Sequence, residues 1–260
     1  MKLSVVVAQT RVSWDLQRNQ AAIAAALAGT RRGEVVVLPE AAASGYDDEL
    51  SGLEALDPAG VCAVVEYVAE QAREREIHIF CGSLLPEDGA WINAAVYLAP
   101  DGTRQIYRKV NLATHERGRL TAGSQLPVFR LKLEDGEVTA GVQLCREISF
   151  PEQWRYLAGA GAQLFLYLTY AANPAWPPGV WRSHLISHAA ASQRFVVAAN
   201  VADARQHCPS AVISPRGVVL GELPAPQPGL LRVPIDTGEC SDHYLSQRRE
   251  DVLRLSYGRG

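Results

Sequence analysis

The chain of 260 residues is predicted to be an α/β protein with a layered sandwich architecture. Apolar, β-branched runs alternate along it with segments that have helical spacing. The predicted strands are apolar throughout, which is typical of sheets covered on both faces. Turn sequences such as Pro100-Asp101-Gly102 and Pro215-Arg216-Gly217 predict hairpins, so the sheets should be mixed. No linker or composition shift divides the chain, and residues 1–260 are expected to form one domain.

The first half of the chain begins with a β-branched run and an alanine-rich segment of helical spacing. Gly29 follows that segment and is expected to end the helix. Pro58 is expected to begin the next helix, because proline suits the first helical turn. The elements predicted for this half are strand 3–8, helix 15–28, strand 34–38, helix 58–76 and strands 77–81, 91–98 and 103–108.

The second half repeats this alternation, with Pro151 at the start of a helix. Its predicted elements are strands 128–133 and 138–144, helix 151–160, strand 163–168, helix 181–193 and strands 195–200, 211–214, 218–220 and 230–235. The polar tail, residues 247–260, is expected to be either an arm that docks on a partner subunit or a frayed end.

Composition excludes several classes of function. A net charge of −3 indicates no nucleic-acid or anionic-membrane partner, because either would call for a basic stripe. Five cysteines without a CxxC pair disfavour a disulfide framework or a zinc ribbon. Free thiols favour a reducing compartment, so a cytoplasmic protein is expected. Residues 1–9 lack a signal-peptide cleavage site, and no apolar run reaches the ~18 residues of a membrane span.

Common motifs are missing or weak. The chain has no GxSxG and no GxxxxGK[ST] sequence. Gly159-Ala160-Gly161 precedes a predicted strand rather than following one, which disfavours a dinucleotide site. His184 and His188 have no evident third ligand, so one surface and one buried histidine are favoured over a metal site. Cys62 and Cys81, within a helix and a strand, are expected to be buried and inert.

Three reactive residues stand just past the ends of predicted buried strands, where sites form in α/β proteins. Glu40 would be a general base after partial desolvation, or alternatively a helix cap or a surface glutamate. Lys109 would stabilise an oxyanion, or would simply be solvated. Cys145 lies at a strand-to-helix junction whose amides favour a thiolate, so it is either a nucleophile or an inert buried thiol.

The segments around these residues form an ordered set along nearly the whole chain. They are Val35-Val36-Val37-Leu38-Pro39-Glu40 with Ser44-Gly45-Tyr46; Tyr107-Arg108-Lys109-Val110-Asn111-Leu112; Glu116 with Leu120 and Gly123; Gly141-Val142-Gln143-Leu144-Cys145-Arg146-Glu147 with Phe150-Pro151-Glu152; and Ser210 with Ile213-Ser214-Pro215-Arg216-Gly217. In that order the set resembles the carbon–nitrogen hydrolase (nitrilase) superfamily, in its amidase-like branch.

The resemblance implies a four-layer αββα sandwich and a catalytic set of Glu40, Lys109 and Cys145, with Glu116 beside the lysine. It implies hydrolysis of a small-molecule amide or N-carbamoyl compound through a thioester on Cys145. No metal or organic cofactor is required. A nitrilase acting on a nitrile carbon, or a catalytically silent scaffold on the same fold, are the alternatives. The family resemblance also suggests a homodimer or larger assembly through helices 151–160 and 181–193.

The substrate is less defined by the sequence than the chemistry is. The candidates for substrate binding are Tyr46, Arg146, Glu147 and Thr169. Tyr170 and Trp176 are further candidates for lining the site. The alternative is that these side chains only pack within the protein. Arg146 stands where the family usually has an aromatic residue, whereas Glu147 keeps the acidic residue that follows.

An acidic group on the substrate is one interpretation of the arginines in the sequence. Arg146, with Arg182 and Arg205 in segments expected near the same strand ends, is suited to gripping a carboxylate. The alternative is that Arg146 points away and pairs with Glu147 or Glu152.

Overall fold

The computed structural model describes residues 1–173, 175, 177–249, 251–252 and 254. Within them the chain forms two six-stranded sheets. The strands are β1 (Lys2–Gln9), β2 (Val35–Val37), β3 (His78–Glu87), β4 (Ala90–Leu98), β5 (Arg104–Arg108), β6 (Val128–Leu133), β7 (Gly136–Leu144), β8 (Leu164–Leu168), β9 (Phe195–Ala199), β10 (Ser210–Ile213), β11 (Val219–Leu223) and β12 (Gly229–Asp236). The α-helices are α1 (Leu16–Leu27), α2 (Pro58–Glu74), α3 (Pro151–Gly159), α4 (Val180–Ser192) and α5 (His243–Ser246). Short 3₁₀ turns span Leu53–Ala55, Cys145–Ser149 and Thr237–Glu239.

Each sheet has a parallel centre and antiparallel edges. The order of the first sheet is β12-β1-β2-β3-β4-β5, and that of the second is β11-β10-β9-β8-β7-β6. Strands β1, β2 and β3 run parallel, as do β7, β8 and β9. The other pairs, such as β3 with β4, are antiparallel. The sheets are therefore mixed, as the hairpin sequences predict.

Alternate side chains of the first sheet enter two different apolar layers. Val5 and Val7 of β1 join the core between the two sheets, whereas Val6 and Ala8 join the core beneath α1 and α2. On the second sheet, Trp154 of α3 and Leu185 of α4 pack into the cluster that contains β7, β8 and β9. Both faces of each sheet are covered, which explains the continuous apolar runs. The expected four-layer αββα sandwich is confirmed.

Helix capping places the first two helices where the sequence predicts them. The carboxylate of Asp15 accepts hydrogen bonds from the amides of Gln17 and Arg18, and α1 begins directly after it. Asp57 caps α2 in the same way, with Pro58 in the first turn. These carboxylates satisfy amides that have no partner inside the helix.

The structure corrects two details of the first sheet and its helices. Strand β3 continues to Glu87 rather than ending near residue 81, because it pairs with the whole length of β4 as a hairpin closed at Asp88 and Gly89. Cys62 was expected to be buried, but it is exposed on α2, whereas Cys81 is buried. The two cysteines differ because helical burial depends on which face points to the sheet, and Cys62 lies on the outer face.

The described part of the chain contains no helix that is both long and apolar enough to cross a membrane. The tail predicted to be an arm or a frayed end, residues 247–260, lies mostly outside the described residues.

Gly82 of β3 allows the segment after β2 to approach the sheet closely. A Cβ atom at this position would lie 2.3 Å from the carbonyl oxygen of Pro39 and 2.5 Å from the Cα of Glu40. The amide of Ala43 in turn donates to the carbonyl of Gly82 over 3.1 Å. Because backbone atoms surround this position, a side chain cannot be accommodated by a change of rotamer.

Gly82→Ala is therefore expected to lower the free energy of unfolding by roughly 1–3 kcal/mol, because it forces the segment at Glu40 away from β3. Chemical denaturation measures this. The control is Gly159→Ala in α3, where no neighbouring atom lies within 4 Å of the added Cβ, so stability should stay constant or rise slightly. Equal stability of Gly82→Ala and the wild type would contradict the close approach.

Candidate active site

Three strand ends from the two sheets meet at one place. Glu40 follows β2, Lys109 directly follows β5 and Cys145 directly follows β7. Glu40 and Lys109 are completely buried, and Cys145 is half-buried. The Lys109 Nζ atom donates to Glu40 Oε1 over 2.9 Å, and both charges act on the Cys145 thiol. The structure thus brings together the three residues predicted from the sequence.

Lys109 lies between two carboxylates. Its Nζ atom is 3.0 Å from the carboxylate of Glu116 as well as 2.9 Å from that of Glu40. Burial alone would lower the pKa of Lys109, but these two carboxylates outweigh it and raise the pKa above its ordinary value. Lys109 is therefore an ammonium ion throughout the neutral range.

Glu116 is kept ionised by the groups around it. Burial acts to raise the pKa of Glu116, but the charge of Lys109 and hydrogen bonds from the Ala113 amide and the Asn93 side chain lower it below the usual value. The Ala113 amide donates to Glu116 Oε2 over 2.6 Å. Glu116 therefore serves as a fixed negative charge beside Lys109 rather than as a proton donor.

Asn93 of β4 joins both carboxylates and was missed by the sequence analysis. Its Nδ2 atom donates to Glu40 Oε1 over 2.8 Å and to Glu116 Oε1 over 2.6 Å. Asn93 is completely buried. The sequence did contain one signal for Asn93: its polar side chain lies inside the otherwise apolar predicted strand 91–98. A buried polar side chain requires a hydrogen-bond partner.

The second oxygen of Glu40 is held from the opposite sheet. The Tyr170 amide, two residues beyond β8, donates to Glu40 Oε2 over 2.8 Å. Ala41, next to Glu40, has a left-handed φ of 54°. The carboxylate is thus fixed in orientation between the two sheets, close to the thiol of Cys145.

Cys145 occupies a sharp turn between β7 and the 3₁₀ turn that it begins. Its φ of 42° lies in the left-handed region, which is unfavourable for a residue with a side chain. The Tyr167 hydroxyl donates to the Cys145 carbonyl over 2.8 Å, and the Thr169 side chain hydrogen-bonds the thiol. Strained residues of this kind cluster at functional sites.

The ionisation of the thiol differs from the sequence-based expectation of a stabilised thiolate. Burial, together with the negative charge of Glu40, raises the pKa of Cys145 to about 12, although the Lys109 charge and the Thr169 hydrogen bond act in the other direction. Burial and the neighbouring carboxylates outweigh the cation. The thiol is protonated at neutral pH and needs a base in order to react.

Without substrate, Cys145 is expected to show no thiolate in the neutral range, because its pKa is about 12. The measurement is the ultraviolet absorbance of thiolate as a function of pH, taken as the difference between wild type and Cys145→Ala. Contributions from the other buried thiols cancel in this difference. A titration step at neutral pH that is present only in the wild type would contradict the assignment and indicate a thiolate paired with Lys109.

Tyr46 reaches the same network from the loop after Glu40. Its hydroxyl donates to Glu116 Oε1 over 2.9 Å and lies 2.6 Å from the His115 Nε2 atom. Burial, followed by the charges of Glu116 and Glu40, raises the pKa of Tyr46 well above its usual value. The Tyr46 ring lies 5.3 Å from that of Tyr170, so the two rings are neighbours beside the buried charges.

Glu147 was predicted to bind substrate, but the structure places it inside the protein. Its carboxylate is completely buried and accepts hydrogen bonds from the Tyr107 hydroxyl and from the amides of Val110, Asn111 and Leu144. Burial raises the pKa of Glu147 to about 7, against the effect of these hydrogen bonds. With four donors around it, the carboxylate connects protein segments rather than facing a substrate.

Arg146 is half-buried, with its guanidinium carbon 6.0 Å from the centre of the Trp181 ring. The two other predicted arginines already face carboxylates. Arg182 is paired with Glu222, and Arg205 is paired with Asp203. Arg146 was predicted together with them and directly follows Cys145. Trp176, predicted to line the site, lies outside the described residues.

No group of three or more histidine, cysteine, aspartate or glutamate side chains suited to a metal ion occurs among the described residues. His188 is buried, stacks on Trp154 at 4.2 Å between ring centres, and donates to the Ile148 carbonyl. His184 is half-exposed. His188 is thus the buried histidine of the pair.

A carboxylate, an ammonium ion and a thiol at the meeting point of two sheets define a thiol-dependent hydrolase of the αββα type. The chain belongs to the carbon–nitrogen hydrolase family, whose family model matches residues 3–243. The resemblance inferred from the sequence is thereby confirmed, and the protein is a carbon–nitrogen hydrolase.

Amidases are among the proteins to which this chain is similar. It is 27% identical over 203 residues to an (R)-stereoselective amidase of a Pseudomonas species, covering 77% of this chain and 70% of the relative. It is 26% identical over 212 residues to the 2-oxoglutaramate amidase of Paenarthrobacter nicotinovorans, covering 75% and 70%. A solved structure of a mutant amidase from Nesterenkonia sp. AN1 superposes with a TM-score of 0.80 at 25% identity, covering 96% of this chain and 98% of that one. That structure shows the result of Michael addition of acrylamide at the active-site cysteine of the amidase.

Proposed function

We propose that the protein hydrolyses the amide bond of a small molecule through a thioester on Cys145. The observation that carries this proposal is the buried Lys109, held 2.9 Å from Glu40 and 3.0 Å from Glu116 beside a protonated thiol. This arrangement supplies a base, a fixed positive charge and a nucleophile, which acyl transfer requires. The amidase relatives support the same choice of bond.

In the first half of the reaction, the Glu40 carboxylate takes the thiol proton while Cys145 Sγ attacks the amide carbon. The oxygen of the tetrahedral intermediate is stabilised by Lys109 and by a backbone N–H of the turn that Cys145 begins. One preorganised donor of this kind contributes about 3–4 kcal/mol. Glu40 then protonates the leaving nitrogen, the C–N bond breaks, and ammonia or an amine leaves the thioester.

In the second half, Glu40 takes a proton from a water molecule that attacks the thioester carbon. The C–S bond breaks, the sulfur recovers the proton, and a carboxylic acid is released. Glu116 holds Lys109 in place through this cycle, and Asn93 keeps both carboxylates oriented. Neither Glu116 nor Asn93 needs to exchange a proton.

Cys145→Ala and Glu40→Gln are each expected to lower ammonia release from simple amides by about 10³-fold or more, because each variant removes a group used in both half-reactions. Mass spectrometry of the wild type mixed with the amide should show an acyl adduct on the peptide that contains Cys145. Cys62→Ala, at an exposed thiol on α2, is the matched control and should keep full activity.

Near-normal hydrolysis by folded Cys145→Ala would overturn the mechanism. Ammonia release from nitriles but not from amides would favour the nitrilase alternative. If neither amides nor nitriles gave turnover or an adduct, the result would favour the silent scaffold.

We further propose that the substrate carries a carboxylate recognised by Arg146. This arginine directly follows the nucleophile, and an arginine fork binds a carboxylate through two parallel hydrogen bonds. The relative named 2-oxoglutaramate amidase acts, by its name, on an amide that also bears an acid group.

A matched pair of amides that differ only in a terminal carboxylate tests this proposal. The acidic member is expected to be preferred, and Arg146→Ala should lower kcat/KM for that member by about 10–100-fold, since a charge-assisted hydrogen bond contributes roughly 1.5–3 kcal/mol. The neutral member should be little affected. Arg216→Ala is the control, because this arginine lies in the hairpin between β10 and β11. A preference for the neutral amide, or an equal loss for both, would contradict the proposal.

We also propose that the protein forms a homodimer in a reducing, cytoplasmic environment. Three apolar side chains are exposed: Val180 of α4, and Val218 and Leu220 in the hairpin of β10 and β11. They support a homodimer that forms through this side of the second sheet. Light scattering of the purified protein measures the assembly. The five cysteines are free thiols, which supports a reducing, cytoplasmic environment.

A further inference from the structure

We propose that Glu147 is a positioning residue that fixes the distance between the Lys109 ammonium and the Cys145 thiol. This inference rests on the proposed function, in which Lys109 stabilises the oxygen of the intermediate formed at Cys145. Glu147 does not contact the substrate in this role; it acts through the backbone on either side of the two reacting groups.

The first oxygen of Glu147 holds the segment that carries Lys109. Oε1 accepts hydrogen bonds from the Val110 amide over 2.9 Å and from the Asn111 amide over 3.0 Å. These are the two residues that directly follow Lys109. Oε1 also accepts from the Tyr107 hydroxyl over 2.7 Å, two residues before Lys109. The carboxylate thus contacts the chain on both sides of the lysine.

The second oxygen holds the segment that carries the nucleophile. Oε2 accepts from the Leu144 amide over 2.8 Å, and Leu144 directly precedes Cys145. Glu147 itself lies in the 3₁₀ turn that begins at Cys145. Its own carbonyl accepts from the Trp154 indole over 3.0 Å, which anchors that turn to α3.

One buried carboxylate therefore connects the end of β5 in the first sheet to the end of β7 in the second. Two other contacts hold Lys109 and Cys145 each within its own sheet. The Lys109 amide donates to the Asn93 carbonyl of β4, and the Tyr167 hydroxyl of β8 donates to the Cys145 carbonyl. These two contacts do not link the sheets. Glu40 does link them, through the Lys109 ammonium and the Tyr170 amide, but it holds the lysine side chain, whereas Glu147 holds the backbone next to both residues.

Separation matters here because stabilisation of an oxyanion depends steeply on donor distance. A misplacement of about 1 Å costs about 10²-fold in rate. Substrate binding depends on the walls of the site instead, so it should be largely preserved. A positioning role therefore predicts loss of reactivity without loss of affinity.

The test compares Glu147→Gln with Tyr107→Phe and with Glu34→Gln as control. Glu147→Gln keeps the shape of the side chain but replaces one accepting oxygen with an NH₂ group. Tyr107→Phe removes one of the four hydrogen bonds and keeps the aromatic ring. Glu34 is also buried and accepts from the Arg31 amide over 2.8 Å, but it lies at the other end of β2.

The first readout is the rate at which p-nitrophenyl acetate acylates Cys145, followed as the burst of nitrophenolate, because this step forms an oxyanion at the same place but needs no amide hydrolysis. Glu147→Gln should slow this rate by about 10²-fold, and Tyr107→Phe by a smaller factor. Glu34→Gln should lower the unfolding temperature but leave the acylation rate at the wild-type value. Acetamide hydrolysis is the second readout, in which Glu147→Gln should lower kcat by a similar factor with KM nearly unchanged.

Each of the other outcomes would contradict the inference. A raised KM with unchanged kcat would indicate a substrate contact, as first predicted from the sequence. Reduced stability with wild-type acylation in the folded fraction would indicate a purely structural carboxylate. Absence of amide hydrolysis by the wild type would contradict the proposed function, while the acylation rates would still decide the role of Glu147.

Discussion

The buried ammonium of Lys109 is the group around which the site is built. An isolated charge at a fully buried position is strongly unfavourable, so it must be paired and hydrogen-bonded. Glu40 and Glu116 provide that pairing at 2.9 and 3.0 Å. Two carboxylates beside one cation leave an excess negative charge, and neutral donors compensate it: the side chains of Asn93 and Tyr46 and the amides of Ala113 and Tyr170.

This network explains why the two glutamates have different roles, Glu116 as a fixed charge and Glu40 as the base. Glu116 accepts from a nearby amide, from Asn93, from Tyr46 and from Lys109, so its charge is held in place. Glu40 lies toward the Cys145 thiol, whose pKa its charge helps to raise. Glu40 accepts hydrogen bonds as well, but its charge acts on the thiol more strongly than that of Glu116, so Glu40 is the carboxylate suited to proton transfer.

The sandwich explains how residues so far apart in sequence reach one point. Strands β2, β5 and β7 end at the same side of the molecule, and the two sheets face each other across an apolar core. The backbone has a left-handed φ at Cys145 and at Ala41, the residue next to Glu40. Such conformations persist because surrounding contacts over-determine them. Gly82 contributes by leaving room for the segment at Glu40.

The sequence by itself determined the strand and helix order, the αββα class and the three strand-end residues Glu40, Lys109 and Cys145. It did so because periodicity, turn residues and capping act locally, and because the family motifs are colinear with them. Only the tertiary structure decided the role of side chains whose partners come from elsewhere in the chain. Asn93 could not be recognised as a bridge between carboxylates, since Glu40 lies 53 residues before it and Glu116 lies 23 after it. Glu147 was predicted from the sequence to bind substrate, but in the folded chain it accepts hydrogen bonds from four donors of the protein. The protonation of Cys145 was decided by burial and by charges from other strands, and these are properties of the folded arrangement rather than of the local sequence.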